Sequence, residues 1–381
     1  MRFTEEQRAL RDTLRRVTDE RIKPIAAEID DSDRFPTEWR DLMGQMGLLQ
    51  MWVPESYGGP GGDLVSVCIA KEETARGSLA ASTLVCNNSI GLILPILHFG
   101  TDAQKEKYLR LSATGTVVAA VAMTEPQAGS DVAGMKTRAV RRPDGSWVMN
   151  GMKNWITWGE VADVVLVFAK SGDGPAHSNI SAFIVDTKTP GFRVGRRERK
   201  MGRNGAPNNE LFFDDMVLPP DALVGEEGKG FTACMRILDL NRPTIAASAL
   251  GLAQEALDLS VAYCRERKAF GRAIGDFQGL QFKLADMAMQ IEAARQLLYG
   301  VCEEIDSGDH SRLQTIASMV KCYVTDVAMD VTTEAVQIFG GNGYSKEYPL
   351  ERMMRDAKVL QIIEGTNEIH RMVIGRNLVR G

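Results

Sequence analysis

Hydrophobic rhythm changes twice along the chain. Through residues 1 to about 116, apolar positions recur at helical spacing in amphipathic runs such as RALRDTLRRV and AQKEKYLRLS, separated by breakers, notably PESYGGPGGD at 54–63. That pattern predicts helix, loop, helix. From Val117 the apolar runs shorten: VVAAVAM, TRAV, WVMNG, ADVVLVFA, ISAFIVD and NELFFDD are rich in Val, Ile and Phe and broken by turns such as RPDGS at 142–146. Such side chains suit a pleated, half-buried surface, so these runs predict a compact β unit ending near Gly225.

The last part returns to helix. Arg242-Pro243 offers a proline at a first helical position, after which Ile245, Ala249, Leu252, Ala256, Leu259 and Tyr263 recur at steps of four and three. Leu284, Met287, Ile291, Ala294, Leu298, Val301 and Ile305 follow the same rule, and so do Leu313, Ile316, Val320, Val324, Val327, Val331 and Ile338. Three long helices with narrow apolar stripes predict an antiparallel bundle with a plain apolar core. The chain is therefore expected to be α+β, with a helical domain at 1–116, a β domain at 117–226 and a helical bundle at 227–381.

Composition narrows the class. At 381 residues, 44% hydrophobic and 25% charged, the sequence has globular composition, and a net charge of -5 gives no footprint for nucleic acid or an anionic membrane. The six cysteines, at 68, 86, 234, 264, 302 and 322, form no C-x-x-C pair and suit reduced thiols. His98, His177, His310 and His370 are scattered without metal-ligand spacing. The start, MRFTEEQRAL, has no signal core, and no run of eighteen apolar residues occurs, so the expectation is a cytoplasmic protein without metal, nucleic acid or membrane.

Common cofactor and hydrolase signatures are missing: there is no G-x-G-x-x-G after a strand, no G-x-x-x-x-G-K-[ST] and no G-x-S-x-G. What remains is a set of polar, Gly-rich loops, TEPQAGSDV at 124–132, WIT at 155–157, NRP at 241–243, ERKAFGRAIGDFQ at 266–278, QIFGGNGYSKEYPLERMMRDAK at 337–358 and IIEGT at 362–366. Singly, each could be a cap or turn: Ser130 or Asp131 could cap a helix, Gly-Asn-Gly could end one, Trp155 could be a core anchor, and RRERK at 196–200 reads as a solvated connection.

Together, in this order, they resemble the acyl-CoA dehydrogenase family, flavoenzymes that oxidise acyl thioesters between the α and β carbons, over nearly the whole chain. The resemblance implies an amino-terminal all-α domain, a central β-barrel domain and a carboxy-terminal four-helix bundle. It implies FAD, bordered by Met123, Thr124, Trp155 and Thr157 around the isoalloxazine. Ser130 would lie near both flavin and pantetheine. Arg267, Phe270, Gln278, Gln337, Gly341, Thr366 and Glu368 match positions for the diphosphate and adenine end, some lent by a neighbouring subunit of a homotetramer. Asp239 and Arg242 match positions that meet the CoA portion, and Cys86 matches the far end of the acyl pocket.

Glu364 is the expected base. Abstracting a proton α to a thioester needs a positioned carboxylate in a partly desolvated pocket, and Ile362 and Ile363 offer such a setting. Gly365 lets backbone come close, and Thr366 can turn a hydroxyl to the cofactor. Some family members carry the base on an earlier helix, but that position here is Asn241, which cannot accept the proton. With no arginine beside Cys86, the tail is expected to be a short, medium or alicyclic monocarboxylic chain. The electron acceptor is expected to be electron-transferring flavoprotein; an oxygen-using relative and a DNA-associated relative of the same fold are the alternatives.

Overall fold

The computed structural model describes residues 3–175 and 178–380, so His177 lies outside the described residues. Seven α-helices come first: α1 (Glu5–Val17), α2 (Lys23–Ser32), α3 (Thr37–Gln45), α4 (Leu64–Ala75), α5 (Leu79–Leu84), α6 (Leu94–Phe99) and α7 (Asp102–Ala113). Their starts are written locally. Thr4 and Thr101 each accept an amide hydrogen bond from the glutamine three residues on, whose side chain bonds back, and Asp63 accepts from the Ser66 amide at 2.7 Å. Helix α4 is buried along almost its whole length.

The β domain follows, with β1 (Ala119–Ala122), β2 (Arg138–Arg141), β3 (Trp147–Thr157), β4 (Val164–Lys170), β5 (Ile180–Asp186), β6 (Phe192–Arg197), β7 (Asn208–Leu218) and β8 (Leu223–Val224). The hydrogen-bonded order is β6-β7-β3-β2-β4-β5-β8, with β1 added in parallel to β4. The barrel is thus an open one, ending on β6 and β8. Side chains alternate along β4 and β5. Val165, Val167, Phe183 and Val185 join Trp147 and Phe213 in one core, while Leu166, Phe168, Ala182 and Ile184 pack in another with Ile93, Ile96 and Leu109 of the helical domain.

In this sheet β6 and β8 fall outside the predicted runs. Arg196 and Arg197 of the RRERK segment belong to β6, an edge strand whose charges blunt further pairing. Arg197 pairs with Asp33 and Glu160, both at 3.3 Å, so part of this segment ties domains together rather than being freely solvated.

The bundle contains α8 (Gly230–Glu266), α9 (Gln278–Asp306), α10 (Leu313–Phe339), α11 (Leu350–Leu360) and α12 (Asn367–Arg380), with the short hairpin β9 (Lys268–Ala269) and β10 (Arg272–Ala273) after α8. The stripes read from α9 and α10 are buried, apart from a half-buried Leu284. Pro243 is not at a helix start: α8 begins at Gly230 and Pro243 lies inside it. A proline there has no N–H for the Asp239 carbonyl. Packing on α4 and α10 holds the helix through that gap, and polar groups gather at this turn.

Residues 79–99 and 230–266 are long and apolar enough to cross a membrane, but 89% and 72% of their apolar windows are buried inside the protein. They are core helices here.

Candidate active site

Glu364 stands in the link between α11 and α12, in the left-handed region (φ 54°), followed by Gly365 at φ 97°. Two successive positive φ values turn the chain back on itself, which a glycine tolerates and a glutamate accepts only when its surroundings impose it. Those surroundings are polar and buried. Asn241 Nδ2 donates to Glu364 Oε1 at 2.7 Å, Arg242 Nε donates to the Glu364 carbonyl at 3.3 Å, and Lys321 Nζ donates to the Gly365 carbonyl at 2.7 Å and to Asn367 Oδ1 at 2.9 Å. Glu364 Oε2 is buried and has no hydrogen-bond partner among the described residues.

Burial raises the Glu364 pKa above the ordinary carboxyl value, against the opposing pull of Arg242, Asn241, Lys71 and Lys321. The desolvation does not come from Ile362, which is 52% exposed. The groups that act on the carboxyl, Arg242, Asn241, Lys71 and Lys321, come from α8, α4 and α10, which are remote in sequence. His370 is also enclosed, both ring nitrogens without a partner among the described residues, and burial beside Arg242 and Lys321 pushes it down to about 3, so it is neutral.

Asp239 and Arg242 are buried and paired with each other. Burial raises the Asp239 pKa, with Arg242 opposing. Cys86, at φ 49° and 1% exposed, sits in the apolar cluster with Leu48, Leu84 and Val118, and burial pushes its thiol up to about 12. The absence of an arginine beside Cys86 does not leave the site without a cation. Lys71 of α4 is buried, donates to the Ser82 carbonyl at 3.0 Å, and interacts electrostatically with Cys86 and Glu364. Arg76, the nearest arginine in sequence, is instead paired with Glu255 and Asp258.

On the β domain, Trp155 is 53% exposed with φ 61°, at an irregularity in the β3–β7 ladder between Lys153 and Ile156. Thr157 is half-buried two residues on, while Ile156 points into the barrel core. Met123 and Thr124 follow β1, and Ser130 is exposed on the next loop. Two residues that hold this loop escaped the sequence reading. Lys153, fully buried, donates to Glu125 Oε1 at 2.8 Å and to the Met123 carbonyl at 3.0 Å, and Glu125 accepts from the amides of Lys136 and Thr137. Burial works against the Glu125 charge, but Lys153 and these donors outweigh it and hold the carboxyl at about 2. The available signal was a lysine at an inward-facing position of a strand.

The remaining candidates gather at one end of the bundle. Arg267 caps the end of α8, Phe270 lies in the turn between β9 and β10, Gln278 begins α9, and Gln337 and Gly341 lie at the end of α10, where Tyr263 stacks on Phe339 at 4.0 Å. All five are exposed, Phe270 at 95%. A Cβ on Gly271, Gly340 or Gly341 would meet nothing within 4 Å. Thr366 is half-buried beside Glu364, and Glu368 is exposed on α12. Among the described residues, the structure does not bring the β-domain candidates and the bundle-end candidates into contact with each other, but each group has residue types that fit part of a flavin dinucleotide: an exposed indole and hydroxyls for the ring, an arginine, amides and open glycines for the diphosphate end.

Comparison with known proteins bears on the family and the fold. The acyl-CoA dehydrogenase N-terminal, middle and C-terminal domain models match residues 4–116, 120–216 and 228–379. Cyclohex-1-ene-1-carbonyl-CoA dehydrogenase of Geobacter metallireducens is 44% identical, with 99% of each chain covered. The solved butyryl-CoA dehydrogenase from Megasphaera elsdenii is 42% identical with a TM-score of 0.96 over all of both chains. An FAD complex of PigA is 28% identical with a TM-score of 0.94, again over all of both chains. The chain belongs to the acyl-CoA dehydrogenase family, whose cofactor is FAD, and it is an enzyme of that class.

Proposed function

We propose that the protein catalyses α,β-dehydrogenation of an acyl-CoA thioester to the 2-enoyl-CoA, with Glu364 as the base. The observation that carries this is the state of one carboxyl: Oε1 is held by Asn241 while Oε2 is buried without a partner, so its lone pairs are free for an α-proton. Arg242 and Lys321 fix the backbone of residues 364 and 365, which keeps that oxygen in place during transfer. Desolvation strengthens the base, and neutral His370 adds no competing charge. FAD, when bound, supplies the acceptor for the β-hydride.

Trp155, Thr124, Thr157 and Met123 would border the isoalloxazine, with Ser130 between flavin and pantetheine. Arg267, Phe270, Gln278, Gln337, Gly341, Thr366 and Glu368 would hold the diphosphate and adenine end. Asp239 and Arg242 would act towards CoA by shaping the turn of α8, since they are bonded to each other. We place Cys86 at the closed end of the acyl pocket and keep a short, medium or alicyclic monocarboxylic chain, because no arginine stands beside Cys86 in the sequence and the buried Lys71 ammonium is already engaged by the Ser82 carbonyl. A homotetramer is supported by the near-complete exposure of Phe270 and by the exposed Phe282 and Met289. Six free, buried cysteines suit the cytoplasm.

Anaerobic titration with butyryl-, hexanoyl-, cyclohexanecarbonyl- and glutaryl-CoA tests the substrate, read as flavin bleaching. Bleaching is expected with the first three; best turnover with glutaryl-CoA would remove the monocarboxylic assignment. Reoxidation by electron-transferring flavoprotein should be much faster than by oxygen, and the reverse would make the protein an oxidase.

A further inference from the structure

Arg203 is a cation in an unusual position. It lies between β6 and β7, is 6% exposed, and has φ 52°. Among the described residues no carboxylate comes within ion-pair distance of its guanidinium, and its Nε has no partner. Burial lowers its pKa to about 10, with Asp356 and Glu364 opposing. A buried guanidinium without a paired anion is costly, and its geometry is held from both sides: its own amide donates to Asp356 Oδ1 of α11 at 2.5 Å.

The side chain ends on one hydroxyl. Arg203 Nη2 donates to Thr157 Oγ1 at 2.7 Å, and Asn208 Nδ2 donates to the same oxygen at 3.0 Å. The Asn208 amide cannot be reversed without loss, because Nδ2 also donates to the Trp155 carbonyl at 3.1 Å while Oδ1 accepts from Arg203 at 3.4 Å. A threonine hydroxyl has two acceptor lone pairs and one proton. Here both lone pairs are taken by donors that cannot accept. Its proton is therefore left to point away from Arg203 and Asn208, on the outer face of β3 that also carries the exposed Trp155, since Ile156 between them faces the core.

We propose that Arg203 and Asn208 are positioning residues that make Thr157 an obligatory hydrogen-bond donor to the isoalloxazine ring. This rests on the flavin-facing reading of Thr157 given above. A donor fixed in advance favours the ring as it gains electron density on two-electron reduction, because no hydroxyl rotation is needed at that moment. A freely rotating hydroxyl would offer a lone pair as readily as a proton. Arg203, with no freedom to deprotonate near neutral pH, and Asn208, locked by the Trp155 carbonyl, remove that alternative.

The test is a double-mutant cycle on FAD-loaded protein, read as reduction potential and flavin absorbance, with apoprotein affinity for FAD measured by fluorescence quenching. Thr157→Ala should lower the equilibrium constant for flavin reduction about tenfold, which for a two-electron couple is about 30 mV. Asn208→Asp is nearly isosteric, keeps a partner for Arg203, and lets the Thr157 proton turn inward to the new carboxylate. Arg203→Lys keeps charge and drops the planar fork. In the wild-type background both should lower the constant; in the Thr157→Ala background their effect should shrink several-fold, because a cycle removes any direct charge contribution. Additive effects within about twofold would overturn the proposal. A potential and spectrum unchanged by Thr157→Ala would instead remove the flavin-facing reading of Thr157, and failure of the wild-type chain to bind FAD would remove the proposed function itself.

Discussion

Glu364 has two testable properties that follow from one cause, the loss of water around its carboxyl. Glu364→Gln keeps shape and the Asn241 contact but cannot take a proton, so flavin reduction by an acyl-CoA should fall about 10²–10⁴-fold while FAD stays bound. Stopped-flow bleaching measures it, and near-normal reduction would move the base elsewhere. The second property concerns stability. Because the folded pKa is raised above 4.5, the native state holds the proton at pH values where the unfolded chain has released it, so this group's contribution to stability declines as pH rises through that window. Thermal melts should therefore show Glu364→Gln above wild type by a few degrees at pH 7 and level with it below pH 4.5; a variant less stable at pH 7 contradicts this sign.

Two elements depend on interactions that a local reading does not reach. In β3, Lys153 and Glu125 are a buried pair that ties the Met123 loop to the strand. Glu125→Gln leaves the ammonium without its counter-charge, which should cost about 3–5 kcal/mol and weaken FAD retention, measured by urea unfolding and by flavin release. Since Glu125 is held at about 2, its stabilisation is complete above its ordinary 4.5 and disappears as pH falls through 2. In α8, a Cβ on Gly251 would lie 2.1 Å from the Glu72 carbonyl of α4. Gly251→Ala must push the two helices apart, with a loss of about 1–3 kcal/mol or more. An unchanged Tm would mean that α4 can slide.

For the whole molecule the open question is what covers the exposed apolar side chains. Phe282 and Met289 lie one heptad apart on the same side of α9, 62% and 63% exposed. A charge introduced there should oppose subunit contact far more than folding: Phe282→Asp is expected to reduce the mass seen by light scattering and to lower FAD occupancy, with helix content preserved. A variant that stays a full-sized assembly would show that α9 is not the contact. If Phe270→Ala alone lowers FAD affinity at constant mass, that residue meets the cofactor directly.

Periodicity alone located most elements, because helices and strands bury one face and the stripe or alternation is written into the residues: the α9 and α10 stripes and the strands β1 to β5 and β7 are where the pattern puts them. It did not single out Glu364 as a base, a role that came from the resemblance of IIEGT to the acyl-CoA dehydrogenase family. It did not find β6, whose edge position removes the need for alternation, or the true start of α8, because Pro243 reads as a beginning when packing is not known. What surrounds Glu364 was decided only in three dimensions. Ile362, its neighbour in sequence, is exposed, while Asn241, Arg242, Lys321, His370 and Lys71 arrive from four helices, α8, α10, α12 and α4. Arg203 on Thr157 and Lys153 under Met123 belong to the same category. A hydrogen bond between residues far apart in the chain leaves no periodic trace, since it depends on where whole elements meet rather than on what each element needs in order to form.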